Sequence, residues 1–228
     1  METNDTNDKL EGTKAPVEAT GPANNQPSEG VIRFNYQMTE ETSPQTIKNY
    51  EDIEFYRRLL YPSKVIGYDE KEQVGYGNMS KRVNNLEFVI TASQTGHITE
   101  LLTKHYVHVK SCHPTKMMIE AIGFMAPSSE ALTHYSIYEA RPDINHVFHC
   151  HHQGNWEYMI ENDYPSIGED IEYGTMEMAN AVQELIAKDH TGLFVMKGHH
   201  SGFVSYSLDG RGASRAIKKL LKLVGDIH

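Results

Sequence analysis

The segment Asn145-His146-Val147-Phe148-His149-Cys150-His151 constrains this chain most. It reads as a strand, and in a strand residues two apart share a face. His149 and His151 therefore project together with Val147, while His146 and Cys150 project the other way. Two imidazoles so placed reach one metal ion at Zn–N distances of about 2.0–2.1 Å. A catalytic zinc site needs three protein ligands and an open position, so a third ligand must come from another stretch of chain. His199 or His200, just after the short apolar strand Leu193-Phe194-Val195-Met196, can provide it. Glu130, opening a helix shortly before the His-x-His strand, can act as an exchangeable fourth ligand or as an acid/base group. With 13 histidines in the chain, most need a plainer reading. His105, His108 and His113 read as ordinary strand or surface residues, and Cys150 as core. Cys112 next to His113 is weak grounds for a nucleophile.

The remaining periodicities set this strand in a single domain. The chain has 228 residues, a length for one domain or one domain plus a tail. Residues 1–30 lack any aromatic residue and are rich in Asn, Thr, Glu, Pro and Gly. Such composition buries too little apolar area to offset its ordering entropy, so a disordered tail is expected there and the domain over 31–228. A helix is expected over 44–60, begun at Ser43-Pro44, with Ile53, Tyr56, Leu59 and Leu60 at helical spacing. Strands are expected at 85–91, 105–110, 145–151 and 193–196. Further helices are expected from Ser129 to Ala140, stopped by Pro142, and from Thr175 as N-cap. Ile217, Leu220, Leu221 and Val224 mark a C-terminal helix whose first turn is weakened by Gly210 and Gly212. The class is α/β or α+β, with one central sheet and helices on its faces.

Charge narrows the partners. Lys plus Arg is 21 and Asp plus Glu 31, a net charge of −10. That balance argues against phosphate-neutralising nucleic-acid binding and against a polybasic membrane surface. The start of the chain lacks the basic residues and apolar run of a secretory signal, and no stretch approaches the roughly 18–20 apolar residues of a membrane span. A soluble, cytoplasmic protein is expected. Two cysteines are too few for a disulfide framework. An acidic protein that binds an anion needs neutral donors, and three segments offer them: Gly75-Tyr76-Gly77-Asn78-Met79-Ser80, read as a turn, Gln94-Thr95-Gly96, and the helix start Pro127-Ser128-Ser129-Glu130. Lys81 and Arg82 are expected to add local positive charge.

Taken in order, these segments resemble the class II aldolase/adducin family. The resemblance rests on Gly77-Asn78-Met79-Ser80-Lys81-Arg82, Ile90-Thr91 with Thr95-Gly96, and Pro127-Ser128-Ser129-Glu130 with His134. It continues through Arg141-Pro142-Asp143-Ile144-Asn145, His149-Cys150-His151, Tyr173-Gly174-Thr175 and Gly198-His199. It implies a three-layer αβα fold with a central, mainly antiparallel sheet flanked by helices. It implies His149, His151 and His199 as metal ligands, with Leu208 downstream of His199 as in the family, and Glu130 as the catalytic carboxylate. Asn78, Thr95, Gly96, Ser128 and Ser129 match the positions that hold the substrate phosphate, and His134 is a candidate for orienting Glu130. The implied activity is a lyase that cleaves a phosphorylated ketose through a metal-stabilised enediolate, with Zn2+ or another divalent transition metal, in a homotetramer. Epimerases of the family tend to carry Asp where this chain has Glu130, which leans toward C–C cleavage. Dehydratases, decarboxylases and the non-enzymatic adducin-like interaction domains remain as alternatives.

This chain also departs from the family pattern. His200 and Ser201 intervene between His199 and Gly202. His152 follows the ligand pair where a small residue is usual. The Thr-Gly element is shifted by one residue, so Ser93 or Gln94 can share its role. Tyrosines borrowed from a neighbouring subunit are common in the family, and Tyr158, Tyr164 and Tyr206 are available here.

Overall fold

The computed structural model describes residues 30–39, 47–188 and 191–226. The expected tail, apart from Gly30, and the expected helix start at Ser43-Pro44 lie outside the described residues. In chain order the elements are β1 (Asn35–Thr39), α1 (Tyr50–Leu60), β2 (Gly67–Asp69), β3 (Val74–Tyr76), β4 (Asn78–Asn84) and β5 (Glu87–Thr91). Then come β6 (Tyr106–His113), β7 (Met118–Gly123), α2 (Ala131–Ala140), β8 (His146–His151), α3 (Gln153–Glu161) and β9 (Ser166–Ile167). The chain closes with α4 (Met176–Lys188), β10 (Leu193–Met196), β11 (Gly202–Ser207) and α5 (Gly210–Leu223).

Among the described residues, nine strands form one sheet in the order β1-β7-β6-β5-β4-β8-β11-β10-β9, while β2 and β3 pair separately. Its inner neighbours are all antiparallel, and only the edge strands β1 and β9 run parallel to β7 and β10. The histidine strand β8 lies between β4 and β11, with Asn78 opposite His149 and Gly202 opposite His151. Alternation then divides β8 between two cores. Phe148 and Cys150 join Ile53 and Leu60 of α1, Met159 of α3 and Ile217 and Leu220 of α5. Val147 faces the other core, with Leu132 and Tyr138 of α2 and Met178 and Val182 of α4. The result is the expected mainly antiparallel sheet between two helical layers.

Several boundaries differ from expectation for local reasons. Helix α1 begins only at Tyr50, because Asn49 is left-handed at φ 69°, a conformation that interrupts a helix and that Asn tolerates. The expected turn over 75–80 is instead a corner followed by a strand. Gly77 turns at φ 77°, where a Cβ would stand 2.9 Å from Ile66, and β4 starts at the next residue. Its positions on the site face, Asn78 and Ser80, are polar, while Met79 is buried in the opposite core, so no apolar alternation marked the strand. Helix α2 begins at Ala131, two residues later than expected, and ends at Ala140 as expected, with Arg141 extended before Pro142. Helix α5 includes both glycines in its first turn. Gly210 is required there, since a Cβ would fall 2.2 Å from the Tyr56 ring, and Asp209 caps the turn by accepting from Gly212 N at 2.6 Å. Each glycine costs about 1 kcal/mol in a helix. Burial of Ile217, Leu220 and Leu221 contributes about 1.5–3 kcal/mol apiece, so packing decides.

Candidate metal centre

The C-terminal half of β8 aims His149 and His151 at one point. The turn between β10 and β11 delivers His199 to the same point, because β11 pairs with β8 and carries that turn over the end of β8. Gly202 makes the approach possible, since a Cβ there would lie 2.4 Å from Cδ2 of His199. One nitrogen from each of the three rings lies within 4.8 Å of the others, and Nε2 of His199 is 3.0 Å from Nε2 of His151. Three nitrogens about 2.0–2.1 Å from one tetrahedral ion stand roughly 3.3 Å apart, so the cluster matches a three-histidine site. His200 does not take part. It is exposed, with its ring 5.5 Å from Trp156, so of the two candidates it is His199 that joins the cluster.

The surroundings favour neutral, ligating imidazoles. His149 is fully buried, and burial pushes its pKa well below the ordinary value, with His199 and His134 acting in the same direction. Its Nε2 is buried without a protein partner, an arrangement that costs about 1–3 kcal/mol unless something binds there. A ligating imidazole needs an acceptor at its other nitrogen. The Asn78 carboxamide stands 3.2 Å from Nδ1 of His149. Its oxygen, also buried and without a partner, satisfies that nitrogen once the amide turns about its terminal bond. Ser201 Oγ lies 3.2 Å from Nδ1 of His151, and the Tyr173 ring packs 4.8 Å from that of His199.

Glu130 reaches the cluster from the start of α2. Its side chain is fully buried and its Oε1 is 3.9 Å from Nε2 of His199. Oε2 accepts a hydrogen bond from Thr133 Oγ1 at 2.8 Å. His134, the expected partner of Glu130, points elsewhere: its Nδ1 is 2.6 Å from Ser80 Oγ, which in turn is 2.7 Å from Tyr138 OH. Glu130 occupies the cap position at φ −94°, ψ 6°, outside regular helix, so the usual side-chain alignment of residues four apart does not apply. Burial lowers the His134 pKa to about 3, and the ring belongs to a buried polar chain beneath the site.

All five residues expected to hold a phosphate line one small cleft: Asn78, Thr95, Gly96, Ser128 and Ser129. Ser93 and Gln94 line it too, and Gln94 Oε1 accepts from Gly75 N at 2.9 Å. Gly96 fits only as glycine, because a Cβ would stand 2.3 Å from Gly67 O. Asn78 faces both this cleft and the histidines, and Ser128 and Ser129 run directly into Glu130, so cleft and cluster are continuous. Lys81 and Arg82 take no part, contrary to expectation. Lys81 Nζ pairs with Asp52 at 2.8 Å. Arg82 donates to the carbonyls of Tyr138, Ile144 and Arg141, since odd positions of β4 turn away from the site and the residue beyond Lys81 lies down-strand from it.

Other candidates have structural posts. His152 caps α3, its Nδ1 accepting from Asn155 N at 3.2 Å. Cys150 is buried core, and burial raises its thiol pKa. Tyr206, expected to be available to a neighbouring subunit, is buried beside Phe194, because it alternates inward on β11. Sequence reasoning gave no role to Thr133, Tyr173 or Gly30. Thr133 was legible as a hydroxyl three residues after Glu130. Gly30 lines the cleft, and Val31 N donates to Tyr173 OH at 3.0 Å. That long-range bond has no sequence signal.

A family model described as Class II Aldolase and Adducin N-terminal domain matches residues 63–204. The structure resembles L-fuculose-1-phosphate aldolase from Thermus thermophilus at TM-score 0.58 and 17% identity, covering 77% of this chain and 90% of that one. It also resembles YgbL from Klebsiella pneumoniae, a putative aldolase/epimerase/decarboxylase, at TM-score 0.57 and 17% identity, covering 81% and 89%. A sugar-phosphate aldolase from Thermotoga maritima aligns at TM-score 0.55 and 16% identity, covering 75% and 90%. At these identities the likeness speaks for the fold alone. No curated protein matches the chain, and no helix among the described residues is long and apolar enough to cross a membrane.

Proposed function

Because the chain belongs to the class II aldolase and adducin family, matched across residues 63–204, we propose that it is a metal-dependent lyase that cleaves a phosphorylated ketose by a retro-aldol reaction. The observation that carries this reading is the continuity of two features: three convergent imidazoles with a buried carboxylate beside them, and a cleft of neutral donors that shares Asn78 with them. His149, His151 and His199 hold the divalent cation, with zinc as the default among the metals that imidazole suits. When bound, that cation supplies Lewis acidity to the substrate's carbonyl and neighbouring hydroxyl.

The chain's own residues do the rest. Backbone N–H groups and hydroxyls around Thr95, Gly96, Ser128 and Ser129, together with the Asn78 amide, hold the phosphate without a lysine or arginine. As the C–C bond breaks, its electron pair stays with the carbon next to the substrate carbonyl, and Glu130, out of contact with bulk water, gives that carbon a proton. The hydroxyl on the departing carbon releases its proton to water in the open cleft and becomes the aldehyde. Asn78 ties the two halves, touching His149 while it lines the phosphate cleft. The intact set of Glu130 and three histidines supports an enzyme over an adducin-like interaction domain.

The test is an assay with L-fuculose 1-phosphate and with ribulose phosphates, read for aldehyde release against isomer formation, beside metal analysis of protein purified without a histidine tag. Aldehyde release with about one metal per chain is the expected result. Isomer formation alone overturns cleavage, and absence of stoichiometric metal overturns the enzyme. The same reading has the chain work in the cytoplasm as a homotetramer. Phe55 and Leu59, one turn apart on α1, are 61% and 42% exposed, apolar area of the kind that association buries. Sedimentation of the purified protein checks the assembly.

A further inference from the structure

The carboxylate of Glu130 has two oxygens with different neighbours. Oε1 lies 3.9 Å from Nε2 of His199, and Oε2 receives the hydroxyl of Thr133 at 2.8 Å. Neither residue meets solvent, at 0% and 1% exposure. The last torsion of a glutamate side chain lies in a broad, roughly two-fold well, so burial alone leaves the carboxylate plane unfixed. A hydroxyl in the first turn of a helix also has an alternative, since serine and threonine commonly donate to a carbonyl three or four residues back. Ser136, three residues further along α2, does this, donating to Leu132 O at 2.9 Å. Thr133 instead gives its proton to the Glu130 side chain.

We propose that Thr133 is a positioning residue: it anchors Oε2 and thereby fixes the Glu130 carboxylate with Oε1 toward the three imidazoles. The inference rests on the reading of Glu130 as the proton-transferring carboxylate. Thr133 itself lines neither the phosphate cleft nor the imidazole cluster, so its effect passes through Glu130. A misplaced reacting group loses rate even when every group is present.

Two variants and one cycle test this. Thr133→Val removes the donor at nearly unchanged shape, and Thr133→Ser restores it. With L-fuculose 1-phosphate, the valine variant is expected to lose about tenfold or more in kcat, with KM and metal content unchanged. The serine variant is expected within about threefold of the parent, as its hydroxyl keeps the hydrogen bond to Oε2. In metal-free protein, Thr133→Val should lower the urea midpoint when Glu130 is present and leave it unchanged in a Glu130→Ala background. Parental kcat in the valine variant, failure of serine to rescue, or equal midpoint losses in both backgrounds overturns the proposal. If the parent cleaves none of the phosphorylated ketoses, the lyase reading falls by itself, and the stability cycle still decides whether Thr133 holds Glu130.

Discussion

His146 and His149 stand three residues apart on β8, both buried, and point to opposite faces of the sheet. Each ring keeps one buried nitrogen without a protein partner. Burial pushes both below the ordinary histidine pKa, but by different company. At His146 the Asp52 carboxylate, 2.9 Å from Nε2, works against burial. At His149 the neighbours His199 and His134 add to it. Tyr56 and Phe148 pack around His146, whereas two further imidazoles converge on His149. An orphan nitrogen therefore does not make a ligand site; convergence of several lone pairs on one point does.

The largest expected effect breaks the His149 side. His149→Ala with His151→Ala should remove the bound metal and drop turnover by at least about a thousandfold, with the far-UV circular dichroism of the sheet retained. Turnover that survives this change sinks the mechanism. Next comes the carboxylate on each side of the comparison, Glu130 by His199 and Asp52 by His146. Glu130→Gln should lower kcat by about 10²–10⁴-fold at parental metal content, measured by metal analysis alongside the assay, whereas Asp52→Asn should leave kcat alone.

Acid sharpens the comparison further. His134, with its pKa near 3 in the fold, and His149 stay neutral at pH values where their unfolded counterparts take up protons, near pH 6.5. The unfolded chain thus binds more protons below that pH, and stability falls as pH falls. Metal-free protein should lose up to about 1.4 kcal/mol per pH unit from His134 between about pH 6.5 and 3, with His149 adding to the slope in the same direction, read from urea midpoints. His134→Gln should flatten this slope. A slope that His134→Gln leaves unchanged would contradict the assignment. The smallest effect lies on the other face: Asp52 is partly exposed, so Asp52→Asn should cost about 1 kcal/mol or less, checked by the same denaturation.

How much of this was legible depended on whether the signal was local. The strand over 145–151 and the helix ending before Pro142 followed from short-range alternation and backbone restriction. The N-cap at Thr175 did too, its hydroxyl accepting from Met178 N at 3.2 Å. Strand β4 was not legible, because its buried positions on the site face are Asn78 and Ser80, polar residues, the second held in the His134–Ser80–Tyr138 chain. Lys81 and Arg82 fall away from the cleft for a related reason: proximity in sequence said nothing about which face of β4 Lys81 occupies or how far down the strand Arg82 lies.

What the sequence determined by itself is the set of chemical groups and their local spacing: two imidazoles on one strand face, a carboxylate at a helix start, glycines and hydroxyls in three short segments. Those are fixed by backbone geometry within a few residues. Only the tertiary structure decided that His199 and not His200 joins the pair, that Thr133 and not His134 holds Glu130, and that Tyr206 is core. Those choices hang on the pairing of β11 with β8 and on where α2 begins, and such long-range register is set by the packing of both sheet faces at once, which no local pattern encodes.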